Sequence, residues 1–295
     1  MAARPRRSVL FMPGSNARAL EKARGLPADA LIFDLEDAVA PNAKDAARQA
    51  VADAVAQGGY GGRELILRVN GLDTQWAEDD LEAAARMKID AVLLPKVEGP
   101  NDPRRAEGLL ISAGAPKDLA LWCMMETARA MLHAEAIASS TPRLRALVMG
   151  TADLSKELHA EETPSREPMA TALGLVVLEA RAYGLALLDG VYFDLENAAG
   201  FERECRQGRA MGFDGKTLIH PKTIASANAV FSPKPAELDH ARRVIAAHDE
   251  ALAKGRGVTV LDGRLVERLH VEAARRVLDL ASAIASLEQG LGGRP

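Results

Sequence analysis

The chain has 295 residues, of which 48% are hydrophobic and 26% charged, a balance typical of a folded globular protein with a substantial core. Its formal net charge of −4 argues against a nucleic-acid-binding protein, which needs a basic surface. With only Cys123 and Cys205 and no CxxC pair, a disulfide framework and a structural zinc site are also disfavoured. No signal peptide or membrane span follows the short basic start, so we expect a cytoplasmic enzyme.

Short apolar runs recur along the chain, and most are continuous rather than alternating, as expected for strands buried on both faces. There are eight of them: Ser8–Met12, Ala30–Leu35, Glu64–Val69, Ala91–Pro95, Leu119–Met125, Leu144–Met149, Ala186–Val191 and Lys216–Ile219. Between them lie stretches with helical spacing, including Ala17–Arg24, Lys44–Ala56, Thr74–Met87 and Thr127–Ser139. Eight strands that alternate with helices predict a (β/α)8 TIM barrel.

The predicted barrel occupies residues 1–232, and a break at Pro233 and Pro235 follows it. Residues 233–295 predict a C-terminal helical extension of two helices around a turn at Gly255–Gly263. The competing architecture is an open doubly wound sheet, which usually carries a GxGxxG loop after its first strand. Here the residues after that strand are Met12-Pro13-Gly14-Ser15-Asn16, which favours the barrel.

Polar and charged residues follow most of the predicted strands, at the end of the barrel where active sites lie. They are Asp34, Glu36, Asp37, Arg68, Asn70, Lys96, Glu126, Asp153, Asp189 and His220. Burying an isolated charge costs free energy unless the charge is paired or binds a metal. The sequence therefore predicts that these residues converge on one site.

Glu126 and Asp153 are the candidate metal ligands, because they follow adjacent strands and their carboxylates can meet at one point. Oxygen ligands with no Cys or His nearby suit Mg²⁺, or Mn²⁺, better than zinc. Two carboxylates leave several coordination positions for water and substrate oxygens. In the alternative interpretation, the two carboxylates cap helices or pair with Arg129 and Lys156.

Arg68 could bind a substrate carboxylate bidentately, or it could form a salt bridge to Glu36 or Asp37. Those two carboxylates could instead contact metal-bound waters. A Schiff base on Lys96 is disfavoured, because nothing nearby marks a desolvated lysine of low pKa. His220 could be a ligand, a CoA contact or a simple strand-end histidine.

Seven short motifs, taken in order, resemble the citrate lyase β-subunit-like family, which includes malyl-CoA, β-methylmalyl-CoA and citramalyl-CoA lyases. They are Arg7–Gly14, Phe33–Val39, Leu67–Gly71, Leu94–Glu98, Met125–Thr127, Gly150–Leu154 and Lys216–Pro221. Any one of these motifs is a weak signal, but seven in sequence are a strong one. The resemblance implies a barrel enzyme with Mg²⁺ held by Glu126 and Asp153. It places Arg68, Glu126 and Pro221 at the substrate, with CoA entering over the strand ends.

The resemblance also implies a homotrimer or hexamer, in which the C-terminal segment completes a neighbouring subunit's site. Many members carry a Gly-Lys-Met-Val-Asp-x-Pro stretch that supplies a catalytic Asp to that site. Here Gly263–Leu269 reads GRLVERL, so Glu267 stands where Asp is expected and Leu269 replaces Pro. The extra methylene matters, because a small misplacement of a catalytic group can cost on the order of 100-fold in rate. Alternatively, Glu267 is a surface residue at a helix start.

We therefore expect a Mg²⁺-dependent carbon–carbon lyase, or the reverse Claisen-type condensation, acting on a 3-hydroxyacyl-CoA such as malyl-CoA or citramalyl-CoA. The products would be acetyl-CoA or propionyl-CoA with glyoxylate or a 2-keto acid. Arg68, Glu36, Asp37 and Glu267 are the candidate catalytic residues. The alternatives are an aldolase for free pyruvate and aldehydes, an acyl-CoA thioesterase, a citrate lyase complex subunit acting on a carrier protein, and a non-catalytic binding protein. No nucleic-acid or membrane partner is expected.

Overall fold

The computed structural model describes residues 4–292 and contains a closed barrel of eight parallel strands. Strands β1 to β8 span Ser8–Pro13, Ala30–Asp34, Glu64–Arg68, Ala91–Leu94, Ala120–Met125, Leu144–Met149, Ala186–Asp189 and Gly215–Leu218. Pairing of β1 with β8, from Ser8 opposite Lys216 to Leu10 opposite Leu218, closes the barrel. The predicted fold class is confirmed, and each predicted strand lies within a few residues of an observed one.

Helices follow the strands of the barrel along the chain. Helices α1 to α10 span Ala17–Ala23, Lys44–Gln57, Ala77–Arg86, Asn101–Ser112, Ala128–Leu132, Ala134–Ala138, Thr151–Glu157, Ala170–Ala182, Ala198–Met211 and Ile224–Phe231. The continuous helix predicted over Thr127–Ser139 is wrong, because the backbone leaves helical geometry at His133, between α5 and α6. The side chain of His133 donates from Nδ1 to the carbonyl of Glu98, at 2.8 Å.

Alternate side chains of each strand build two apolar layers, as a packed barrel requires. The layer between strands and helices includes Leu31, Phe33, Leu67, Leu121 and Leu147. The barrel interior contains Val9, Ile32, Ile66, Leu93, Trp122, Val148 and Leu188. This two-sided burial explains why the strands read as continuous apolar runs in the sequence.

Closure of the barrel depends on a glycine at the start of β8. A Cβ atom at Gly215 would lie 1.8 Å from the carbonyl oxygen of Arg6, so no larger residue fits there. The close approach lets the N–H of Lys216 donate to the carbonyl of Arg7 at 3.3 Å. Arg7 is buried and forms an ion pair with Asp29 at 2.8 Å, which fixes the start of β1.

The described chain divides into two compact units, the barrel from Arg6 to Phe231 and a second unit that combines residues 4–5 with the chain from Ser232 onward. In the second unit, helices α11 (Pro235–Ala253) and α12 (Arg268–Gly292) pack on each other. The predicted turn between them is part of a hairpin, β9 (Thr259–Leu261) and β10 (Arg264–Val266). Asp262 and Gly263 at its tip both have positive φ, as a two-residue Asp-Gly hairpin turn requires. Among the described residues, no helix is long and apolar enough to cross a membrane.

Candidate active site

A bidentate ion pair joins the ends of β2 and β3. Nε and Nη2 of Arg68 donate to Oδ1 and Oδ2 of Asp34, each at 2.7 Å, because strand register places the two residues side by side. The guanidinium also lies 4.8 Å from the ring centroid of Phe11, and Arg68 is only 7% exposed. The guanidinium that was predicted to bind a substrate carboxylate bidentately therefore already binds Asp34, one of the strand-end residues expected at the site.

The third nitrogen of Arg68 holds the loop after β2. Nη1 lies 3.1 Å from Oε2 of Glu36 and 3.4 Å from Oδ2 of Asp37, so the salt-bridge alternative for Arg68 is present in the structure. The buried Lys44 fixes the same loop, since its ammonium donates to the carbonyls of Leu35 and Glu36 at 2.8 and 2.7 Å. Glu36 is buried, whereas the Asp37 side chain is 60% exposed.

The two neighbouring carboxyls differ in acidity. Burial raises the pKa of the Glu36 carboxyl, although the charge of Arg68 acts in the opposite direction. Burial acts on Asp37 as well, but hydrogen bonding with Glu36 and the charge of Arg68 lower the pKa of its carboxyl overall. Asp37 is consequently an ionised, solvent-facing carboxylate at neutral pH, and Glu36 behind it is the group that more readily holds a proton.

Glu126 and Asp153 follow the paired strands β5 and β6, and they lie near enough for the charge of Asp153 to act on Glu126. Glu126 directly follows β5 and is 2% exposed, and Asp153 lies in the first turn of α7, which follows β6. The pKa of Glu126 is raised to about 7, chiefly by burial and also by the nearby charge of Asp153, while the hydrogen bond from the N–H of Lys96 acts to lower it. Arg129, named as an alternative partner for these carboxylates, instead lies 3.4 Å from Glu98.

This pair fits a divalent cation, because a bound cation would offset both the burial of Glu126 and the repulsion between the carboxylates. Within the described residues, no group of three or more His, Cys, Asp or Glu side chains could hold a metal. Two carboxylate ligands are nevertheless enough for Mg²⁺, which keeps several waters or substrate oxygens. Gly150 makes the arrangement possible, since a Cβ atom there would lie 2.4 Å from Cβ and 2.5 Å from Oε2 of Glu126.

Lys96 connects the two halves of the site. Its backbone N–H donates to Oε1 of Glu126 at 2.6 Å, and its ammonium donates to Oε1 of Glu36 at 2.9 Å. The site cluster is therefore a continuous series of ion pairs and hydrogen bonds that runs through Asp34, Arg68, Glu36, Lys96 and Glu126. The bridging role of Lys96 could not be predicted, because nothing in the sequence indicates the direction of its backbone N–H.

The remaining candidates lie outside the site cluster. Nδ1 of His220 accepts from the N–H of Lys222 at 3.1 Å, so this histidine caps the short 3-10 helix Pro221–Thr223. Pro221 begins that helix at the end of β8 and is half-buried. Glu267 lies in the second unit, where its N–H donates to Nδ1 of His270 and its carbonyl starts α12. Its predicted role in a neighbouring subunit stays a prediction.

Asp189 and Asn70 also follow strands, but both are bonded elsewhere. Asp189 is buried and pairs with Nη1 of Arg166 at 2.8 Å and Nζ of Lys216 at 3.2 Å. Asn70 donates through Nδ2 to Asp80 at 2.6 Å. The prediction that all strand-end charges converge on one site is therefore wrong for these two residues, because each has a local buried partner.

Several known proteins are similar to this chain in sequence, in fold or in both. A (3S)-malyl-CoA thioesterase of Cereibacter sphaeroides is 54% identical over 284 residues, covering 96% of this chain and 97% of that protein. An L-malyl-CoA/beta-methylmalyl-CoA lyase of the same species is 34% identical over 308 residues, covering 96% and 97%. The crystal structure of protein CitE from Mycobacterium tuberculosis in complex with magnesium, acetoacetate and coenzyme A matches with a TM-score of 0.74 and 28% identity, covering 96% of this chain and 100% of that one.

The family match takes in nearly the whole barrel. Residues 7–221 match the family described as HpcH/HpaI aldolase/citrate lyase, and all seven motifs quoted above fall within that span. The resemblance to the citrate lyase β-subunit is confirmed at this level. This chain belongs to the HpcH/HpaI aldolase/citrate lyase family of enzymes.

Proposed function

We propose that this protein hydrolyses the thioester of a malyl-CoA-like 3-hydroxyacyl-CoA, with Mg²⁺ held by Glu126 and Asp153. The observation that carries this proposal is the 54% identity with a (3S)-malyl-CoA thioesterase over almost the full length of both chains, against 34% with a malyl-CoA lyase. The order of the expectations from sequence is thereby reversed, since carbon–carbon cleavage stood first there and thioester hydrolysis among the alternatives.

The geometry supports this substrate class. A malyl thioester carries a 2-hydroxycarboxylate at the end distant from sulfur. That group would chelate a Mg²⁺ ion held by the protein, and the ion would offset the charge of the carboxylate. Glu126 and Asp153 supply the anionic ligands and leave the other positions to the substrate. Magnesium in the solved structure of the CitE relative supports this choice of metal.

Hydrolysis needs a base near the thioester. A water oxygen bonds to the carbonyl carbon, the C–S bond breaks, and a proton passes to the departing CoA thiolate. The Glu36–Asp37 pair would take the proton from water, because Asp37 faces solvent and Glu36 behind it holds a proton more readily. Arg68 positions both carboxylates through Nη1.

A product assay with (3S)-malyl-CoA tests this proposal. Hydrolysis gives malate and free CoA, which a thiol reagent detects, whereas carbon–carbon cleavage gives glyoxylate and acetyl-CoA without a free thiol. We expect thiol and malate in equal amounts, loss of both with a chelator, and recovery on addition of Mg²⁺. Glyoxylate with no free thiol would overturn the proposal in favour of the lyase.

We further infer a homo-oligomer in which Glu267 acts in the site of a neighbouring copy. Glu267→Gln should reduce turnover without changing Mg²⁺ binding. Mixing it with an Arg68→Ala variant should restore part of the activity, because hybrid oligomers contain some sites with both residues. Absence of recovery, with subunit exchange demonstrated by mass spectrometry, would show that Glu267 does not act in trans.

A further inference from the structure

Lys96 has an uncommon backbone conformation. It follows β4 with a φ of 51°, in the left-handed region that residues with long side chains rarely adopt. Such a conformation persists only where the surrounding structure holds it, and it is concentrated at functional sites. In Lys96, hydrogen bonds from the backbone N–H and from the ammonium hold this conformation.

Both ends of Lys96 bind carboxylates of the site cluster. The left-handed turn directs the backbone N–H to Oε1 of Glu126, at 2.6 Å, and the ammonium reaches Oε1 of Glu36, at 2.9 Å. Those carboxylates come from different strand ends, after β5 and β2. One residue therefore spans the space between the metal ligand and the carboxyl pair.

Stability alone does not account for this arrangement. The Lys96 side chain is 53% exposed, and exposed ion pairs contribute little to the free energy of unfolding. The carboxylates that it binds are both buried, so their orientation depends on the few donors that reach them. The ion pair thus has more effect on where the carboxylates point than on how stable the fold is.

We propose that Lys96 is a positioning residue that sets the separation of the two halves of the site. Its N–H orients the metal ligand Glu126, and its ammonium holds Glu36 beside Arg68. The proposal rests on the proposed function for its activity measurement and for Glu126 as a metal ligand, but the metal-binding measurement below needs no substrate.

Substitution of Lys96 tests the contribution of its ammonium while the backbone N–H stays in place. Lys96→Met keeps the N–H and removes the ammonium, so kcat should fall by about 10–100-fold, the effect of a displaced catalytic group, while Mg²⁺ affinity measured by calorimetry stays near that of the wild type. Lys96→Arg should restore most of the rate, because a cation again reaches Glu36. Lys254→Met is the matched control, since Lys254 is 54% exposed and pairs with Glu250 in the second unit.

The hydrogen bond from the Lys96 N–H to Glu126 is followed by NMR spectroscopy of the wild-type protein, selectively labelled with ¹⁵N-lysine. The Lys96 amide signal is assigned by its absence from the Lys96→Arg spectrum, and Mg²⁺ is added without substrate. We expect this amide to shift on titration with an affinity equal to the calorimetric one, because its acceptor Glu126 becomes a metal ligand.

Three results would overturn the proposal. They are a Lys96→Met rate equal to that of the Lys254→Met control, a Lys96→Arg rate no higher than that of Lys96→Met, and a Lys96 amide signal that does not shift when Mg²⁺ is added. If the wild type cleaves malyl-CoA instead of hydrolysing it, the proposed function fails, and the same variants then test Lys96 on the cleavage rate.

Discussion

The barrel contains two charged clusters built from the same residue types, and they differ in access to solvent. In the site cluster, the Lys96 side chain is 53% exposed, and Asp37 beside the cluster is 60% exposed. The Asp189 cluster consists of Asp189, Arg166, Lys216 and Glu204. There, the Asp189 and Lys216 side chains are both 0% exposed. Charge at a strand end therefore does not identify a catalytic group by itself. The clearest difference between the clusters is the lysine, which is half exposed in the site cluster and fully buried in the Asp189 cluster.

The two clusters also differ in what their charges interact with. In the Asp189 cluster, Lys216 donates to Glu204 at 2.6 Å and to Asp189 at 3.2 Å, so this buried ammonium is paired with two carboxylates inside the fold. In the site cluster, Glu126 has the like charge of Asp153 nearby, outside the cluster, and burial raises the pKa of Glu126 to about 7. Such an arrangement is unfavourable without a cation, which is the property expected of a binding site.

Glu126→Gln should give the largest change in activity and little change in stability. The neutral amide can still accept from the N–H of Lys96 but is a poor Mg²⁺ ligand, so turnover should fall by about 1000-fold or more. Because burial disfavours the charged form of Glu126, the variant should melt at or above the wild-type temperature. Calorimetric titration with Mg²⁺ measures binding, and retained Mg²⁺ affinity with full turnover would contradict the metal assignment.

Asp189→Asn should show the reverse pattern. It leaves Lys216 and Arg166 buried without their shared carboxylate, so the free energy of unfolding should fall by about 3–5 kcal/mol. Glu202→Gln is the control, because its exposed pair with Arg206 should contribute less than about 1 kcal/mol. Denaturant unfolding measures both values. Turnover per folded molecule should not change, and equal stability of the two variants would remove the distinction between the clusters.

Arg68→Lys should have an intermediate effect on activity. Lysine cannot bind both oxygens of Asp34 in parallel and also reach Glu36, so the loop after β2 loses its fixed position. We expect kcat/KM to fall by about 10–100-fold. Arg86→Lys, in an exposed pair with Glu82, should retain wild-type kinetics. If the two variants behave alike, Arg68 has no part in the reaction.

The smallest expected effect is a pH dependence of the Asp189 cluster. Burial acts to raise the pKa of the Asp189 carboxyl, but the charges of Lys216 and Arg166 hold it below its ordinary value. The cluster's contribution to stability is therefore complete above the unfolded pKa of about 3.9 and is lost as pH falls through the lower folded value. The melting-temperature gap between wild type and Asp189→Asn should narrow below that pH. A gap that stays constant down to pH 2 would contradict this pairing.

Much of the site could be predicted from sequence because the barrel places strand ends together. Once eight strands were assigned, Glu126 had to follow β5 and Asp153 had to follow the adjacent strand β6, and both do. The partner of Arg68 could not be assigned, because Asp34, Glu36 and Asp37 all lie within reach. Strand register decided in favour of Asp34 for the bidentate contact.

The strands, the closed barrel and the family could be recognised from the amino-acid sequence, because apolar runs buried on two faces and ordered motifs are local features of the chain. Which charges share a site became clear from the three-dimensional contacts alone. Asp189 and Lys216 form a fully buried ion pair. Lys96, by contrast, bridges Glu36 and Glu126 through a backbone turn that no local pattern predicts. The physical reason is that the free energy of a charge depends on its burial and its partners, and residues distant in sequence supply both.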